Sequence, residues 1–259
     1  MPRDTRPLTL RTADGLSLAA DAWLTPTAAS SAVVLVHGFT AHRRDPSVVA
    51  AAHELRDAGH AVLTYDMRGH GESDGLCTLG DREALDVAAA AVAARDLAPR
   101  VVLVGASLGA IAVLRYAVDD PDLAGVVTVS APARWRLHSP RAALAAVLTR
   151  TGPGRRLARR LGARLDRRWR WTEPPDALAA RLPVPLAVVH GGADRFMPAA
   201  EADRLHRAGT ATAGGRAHGA PRRLLVVPDM GHAYCTRGLD AVADAVGWCL
   251  AAAPQGRPA

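Results

Sequence analysis

Seven short apolar runs alternate with helical patterns along this chain, and that alternation restricts the folds open to it more than any other feature. Runs at 17–24, 32–37, 61–65, 101–105, 125–130, 186–190 and 224–227 read as strands. The last five are nearly unbroken Val, Leu and Ala, as expected when both faces of a sheet are covered. Between them, 47–58, 81–97, 108–118, 199–208 and 239–252 carry the helical period. "ADG" at 13–15 reads as a hairpin turn joining two opening strands. The expectation is one α/β domain over 1–259, doubly wound on a mostly parallel sheet. The interval 133–183 breaks the rhythm with helical patterns and no strand, and reads as a small helical cap inserted over one end of the sheet. Residues 209–223 are Gly- and Ala-rich and read as a loop.

Composition removes several classes of function. All 32 basic residues are Arg, so Schiff-base chemistry and a phosphate-loop lysine are both excluded. Cys77, Cys235 and Cys249 are odd in number and widely spaced, which argues against a disulfide framework or a zinc site and suits a reducing cytoplasm. No uninterrupted apolar run reaches membrane-spanning length, and the first fifteen residues lack the apolar stretch of a secretory leader.

Chemistry concentrates where strands meet helices. In "VLVGASLGA", 102–110, a strand run turns into a helix with no loop between, and Ser107 stands at the corner. Such a corner strains the serine backbone and projects its hydroxyl above the sheet edge. Strand and helix approach so closely that Gly105 and Gly109 must lack side chains. This is the G-x-S-x-G nucleophile elbow in its required strand–turn–helix setting.

A serine hydroxyl needs a base and an oxyanion hole. His232, in "VVPDMGHAY" just past the last strand, is the candidate base; His190 reads as a core histidine, His37 as shaping the turn it precedes, and His70 lies in the polar loop "DMRGHGES" after another strand. Asp194, after the strand and double glycine of "LAVVHGGADRFMP", is the candidate orienting acid. Asp229 is its rival, but stands only three residues before His232. Asp66 reads as a residue tying down the "RGHGES" loop. The backbone N–H groups of Leu108 and of Phe39, in "HGF" after the 32–37 strand, are the candidate oxyanion donors.

The order Ser107, Asp194, His232, together with "HGF", "DMRGHGES" and "GASLG", resembles the α/β-hydrolase superfamily, and within it the serine hydrolases with a small cap. The resemblance covers the chain outside the cap. It implies acyl transfer through an acyl-enzyme, with no cofactor and no metal, most simply on a carboxylic ester. Thioesterase, amidase or peptidase, C–C hydrolase and cofactor-free perhydrolase chemistry share the same triad. A non-catalytic binding protein on this fold is the reading from another class, but such proteins usually lose a triad member.

Charge is distributed unevenly. Residues 133–183 hold thirteen arginines against Asp166, Glu173 and Asp176, while the remainder holds 19 basic and 22 acidic residues. Three of five tryptophans, Trp135, Trp169 and Trp171, lie there too. Leu157, Leu161, Leu165 and Trp169 recur every four residues among arginines, which reads as a basic amphipathic helix over 155–170. Its plainest role is a solvated face whose leucines cover the sheet end. Attraction to an anionic ligand or a lipid surface is the alternative. No nucleic-acid partner is expected, since no matching motif accompanies the charge.

Overall fold

Eight strands form one sheet: β1 (Thr5–Arg11), β2 (Ser17–Trp23), β3 (Ser31–Val36), β4 (Ala61–Tyr65), β5 (Arg100–Ala106), β6 (Gly125–Val129), β7 (Leu186–Gly191) and β8 (Arg222–Val227). Their spatial order in this computed structural model is β1-β2-β4-β3-β5-β6-β7-β8. The opening hairpin pairs β1 with β2 antiparallel, and β2 meets β4 antiparallel; every later pair is parallel. The structure describes residues 5–135, 149–170, 172–208 and 219–254.

Strands β3 to β7 are buried along their lengths except at Arg100, the first residue of β5, which is why their sequences show no polar alternation. Helices cover both faces. On one side lie α1 (Pro46–Asp57) and α7 (Leu239–Ala252), packed over Val33, Leu35, Val102, Val104 and Val127. On the other lie α2 (Glu83–Arg95), α3 (Leu108–Ala117) and α6 (Ala199–Arg207), packed over Val34, Val36, Leu103 and Val126. Strand β3 leads on to β4 at one side while its other neighbour, β5, leads on to β6 at the opposite side, so the connections leave the carboxyl ends of β3 and β5 in opposite directions. Open α/β sheets bind ligands in the crevice such a switch creates.

Between β6 and β7 the described elements are α4 (Gly152–Arg160) and α5 (Pro175–Ala180). The expected amphipathic helix over 155–170 is corrected here. It stops at Arg160, because Gly162 adopts φ +101°, a left-handed conformation that ends helices. The following backbone then pairs with the loop after β4. Arg164 N–H donates to Gly69 O (2.8 Å), Cys77 N–H to Arg164 O (2.7 Å), and Asp166 N–H to Cys77 O (2.9 Å). Nor do all its leucines cover the sheet: Leu165 is buried, but Leu157 and Leu161 are 42% and 52% exposed. The rest of the expected cap, 136–148 with Trp171, lies outside the described residues, as does 209–218 of the expected loop; Arg222 and Arg223 belong to β8.

Candidate active site

The corner after β5 has the strain its sequence implies. Ser107 sits at φ 51°, ψ −108°, a left-handed conformation forced on a residue with a side chain. Its N–H donates to Val129 O at 2.9 Å, which ties the corner to the carboxyl end of β6. A Cβ on Gly105 would lie 2.4 Å from Gly109 O, and one on Gly109 would lie 2.6 Å from His37 O and Val36 O. The two glycines therefore set the distance at which α3 crosses β5 and the end of β3.

The turn after β3 lies against this corner. An ideal Cβ on Gly38 would make ordinary van der Waals contact with Ser107 Cβ at 3.5 Å. Among the described residues, neither the Phe39 N–H nor the Leu108 N–H donates to another protein group. Leu108 is the first residue of α3, where a backbone N–H lacks a helical acceptor and the helix dipole favours negative charge.

His37 and Asp66 hold that turn in place. His37 Nδ1–H donates to Gly38 O (2.8 Å), while its Nε2 accepts the Met67 N–H (3.0 Å). Both ring nitrogens are thus committed in the neutral form, and burial pushes its pKa down to about 4. Asp66 accepts the Arg43 N–H at 2.7 Å and the Glu72 N–H at 2.9 Å, and pairs with the Arg43 guanidinium, joining the loops after β3 and β4. Below them, buried Arg68 is forked between Asp14 and Asp86.

A pH dependence follows. Between pH 6.5 and 4 the unfolded chain protonates His37 while the native one resists, so stability is full above pH 6.5 and falls as the solution is acidified. His70, buried edge-on against His37 and depressed by burial to about 3, acts in the same sense. His37 alone accounts for about 3 kcal/mol over that window. Denaturant unfolding between pH 7 and 4 measures it, and His37→Gln flattens the slope. An unchanged slope in the variant would refute this account.

The candidate acid and base meet beyond β7 and β8. Asp194 Oδ2 and His232 Nδ1 are 2.8 Å apart, with the carboxylate fully buried and the imidazole partly open. The other carboxylate oxygen accepts the Phe196 and Met197 N–H groups at 2.7 and 2.9 Å. Burial alone would raise this carboxyl's pKa; the His232 and backbone hydrogen bonds outweigh it and hold the pKa below the ordinary value. Gly191 and Gly192 make room for the approach, since a Cβ on Gly191 would lie 2.2 Å from Met230 O. Asp229, the rival carboxylate, is exposed and has no bond to His232 among the described residues. His190 is buried in β7, and its Nε2–H donates to Met197 O (3.1 Å), bracing the Asp194 turn.

Three further residues position His232. The Tyr234 hydroxyl is buried and reaches two carbonyls, Val36 O at 2.9 Å and Val104 O at 3.2 Å. It thereby fastens the His232 loop to the ends of the strands that carry Phe39 and Ser107. Ser130 Oγ accepts the Ala233 N–H at 3.1 Å. Because Ala106 pairs with Val129, Ser130 stands beside Ser107, so this bond brings the His232 loop next to the corner. Phe196 packs its ring 5.0 Å from the His232 ring. "HAY" and "DRF" contain Tyr234 and Phe196, but nothing local in those strings tells which distant carbonyl or ring they meet. Among the described residues, no hydrogen bond joins Ser107 Oγ to His232, and no group of three or more His, Cys, Asp or Glu could hold a metal ion.

The sheet order and the serine corner at its switch point define an α/β hydrolase. The chain belongs to the hydrolase family described as serine aminopeptidase, S33, whose model matches residues 27–176, over half its length. That match includes Ser107 and stops short of Asp194 and His232. A curated relative, "Putative carbamate hydrolase RutD" of Variovorax paradoxus (strain S110), is 38% identical over 104 residues, 38% of this chain and 39% of that protein. The chain thus spans about two fifths of the curated relative it matches. Among solved structures, the Pyrococcus furiosus esterase Pf2001 superposes with a TM-score of 0.72 at 19% identity, covering 96% of this chain and 92% of that one. The esterase RhEst1 from Rhodococcus sp. ECU1013 gives 0.65 at 19% identity, covering 96% and 99%. At such identities the likeness is one of fold. Among the described residues no helix is long and apolar enough to cross a membrane.

Proposed function

We propose that the chain is a serine hydrolase of carboxylic esters or related acyl bonds, working through an acyl-enzyme. The observation that carries this reading is the His232–Asp194 pair, held beside the strained Ser107 corner by the Ser130 and Tyr234 hydrogen bonds. In this reading His232 Nε2 takes the Ser107 proton as Oγ attacks the acyl carbonyl. The buried Asp194 carboxylate keeps the Nδ1–H tautomer and stabilises the imidazolium. The Phe39 and Leu108 N–H groups receive the tetrahedral oxyanion. His232 then protonates the leaving group, and water, activated by the same base, releases the acid. The sequence and the site need no cofactor for these steps. The small-molecule acyl substrate enters over the carboxyl ends of β3 and β5.

Ester chemistry is favoured over the amide chemistry of the family's description by the esterases among the fold's neighbours. A fluorophosphonate probe tests the mechanism, and p-nitrophenyl esters of increasing chain length, beside acyl-CoA thioesters and aminoacyl anilides, test the bond. The expected result is stoichiometric labelling at Ser107 and turnover of short esters at least about tenfold above the anilides. Labelling elsewhere, or none in a folded protein, would overturn the mechanism; faster anilide cleavage would overturn the ester assignment.

A further inference from the structure

The segment that carries α4 concentrates arginine. From 149 to 170 it holds nine arginines and one acidic residue, Asp166. Its helix buries only Gly154 and Ala158 against the body of the protein. It is anchored to the loop after β4 by the Arg164 and Cys77 backbone bonds described above, by a bridge between Ala163 and His70, by the Arg164 guanidinium donating to Ser73 O, and by buried Leu165. Arg156, Arg159, Arg160, Arg167 and Arg168 are exposed and have no ion-pair partner among the described residues.

Apolar groups are exposed beside these arginines. Leu157 and Leu161 are 42% and 52% exposed, and Leu76, on the neighbouring loop, is 47% exposed. Between loop and helix runs a groove of about 630 Å³, lined by Leu76, Arg155, Arg156, Arg159, Arg164 and Arg167. Uncovered leucines set among unpaired arginines are the composition of a surface that lies in a membrane interface. Apolar side chains enter the acyl boundary and cations meet anionic headgroups. A nucleic-acid backbone would use the charge and leave the leucines wet. The basic character is also local, because the chain outside 133–183 has more acidic than basic residues.

We propose that this arginine-rich arm docks the protein on an anionic lipid bilayer. Docking sets the active-site side of the sheet against the membrane: a Cβ on Gly162 would lie 3.1 Å from Thr40 O, one residue beyond Phe39. Acyl compounds dissolved in the bilayer would then reach the crevice without crossing bulk water. Binding to vesicles is read without turnover, so it stands or falls independently of the hydrolase assignment, and a Ser107→Ala protein binds as the wild type does.

The experiment is co-sedimentation of the full chain with vesicles of phosphatidylcholine, with and without about one third phosphatidylglycerol. Expected is at least about tenfold stronger partitioning onto the anionic vesicles at 0.1 M salt, largely lost at ~1 M, where the Debye length falls to ~3 Å. An Arg156→Gln, Arg159→Gln, Arg160→Gln, Arg167→Gln variant loses that preference. A Leu157→Ser, Leu161→Ser variant, which keeps every charge, loses about tenfold as well. Circular dichroism and thermal melting of each variant confirm that it is folded. Equal partitioning of wild type on both vesicles overturns the proposal. So does a leucine variant that binds as well as wild type while millimolar dibutanoyl phosphatidylglycerol displaces both, because the groove then takes a single soluble anion.

Discussion

Ser107→Ala is expected to lower kcat on a short ester by about 10³- to 10⁶-fold, the range seen when a triad nucleophile is removed, and to abolish fluorophosphonate labelling. The fold survives, because the Ser107 N–H keeps its bond to Val129 O and a smaller side chain fits the space between Gly105 and Gly109. The strained φ of 51° is retained at a cost alanine shares with serine. Circular dichroism and thermal melting check the fold, and steady-state kinetics check the chemistry. A well-folded Ser107→Ala protein with more than about a tenth of wild-type activity would place the nucleophile elsewhere.

Asp194→Asn is expected to lower kcat by about 10⁴ with little change in KM, following the serine-protease precedent. The physical reason lies in what each carboxylate oxygen does. One accepts two backbone N–H groups and the other accepts His232. An asparagine has a single acceptor oxygen. If that oxygen keeps Phe196 and Met197, its NH₂ faces Nδ1 and selects the wrong imidazole tautomer. If it keeps His232, two backbone donors lose their acceptor and the turn loosens. Asp229→Asn, at an exposed position, leaves kcat within about twofold of wild type. A larger loss at Asp229 than at Asp194 would reverse the assignment of the acid.

What could be read from the sequence was whatever a short string settles by itself. The strand-to-helix corner is such a string, because Gly105, Ser107 and Gly109 are all needed within five residues for one close approach. Asp66 is another: its role in tying the "RGHGES" loop follows from its place at the end of a strand, and it accepts the Glu72 N–H. The amphipathic helix over 155–170 failed for the opposite reason. Leucines at 157, 161 and 165 keep a four-residue spacing through the point where the helix stops. The stop depends on Gly162 and on backbone partners at Gly69 and Cys77, some ninety residues earlier. Tyr234 was equally hidden, since its two acceptors, Val36 and Val104, are 198 and 130 residues away.

Those two long-range anchorages have different hosts, and this bears on how such a protein could change over evolutionary time. Ser107, Asp194 and His232 hang from the carboxyl ends of β5, β7 and β8, braced by Tyr234 and Ser130. The arginine arm is held by backbone bonds to a loop on the far side of β3. The exposed side chains of Arg156, Arg159, Arg160, Arg167 and Arg168 make none of those bonds, so they can be exchanged for residues of different charge without moving Ser107, Asp194 or His232. Selection can then retarget where the enzyme works while its reaction is inherited intact.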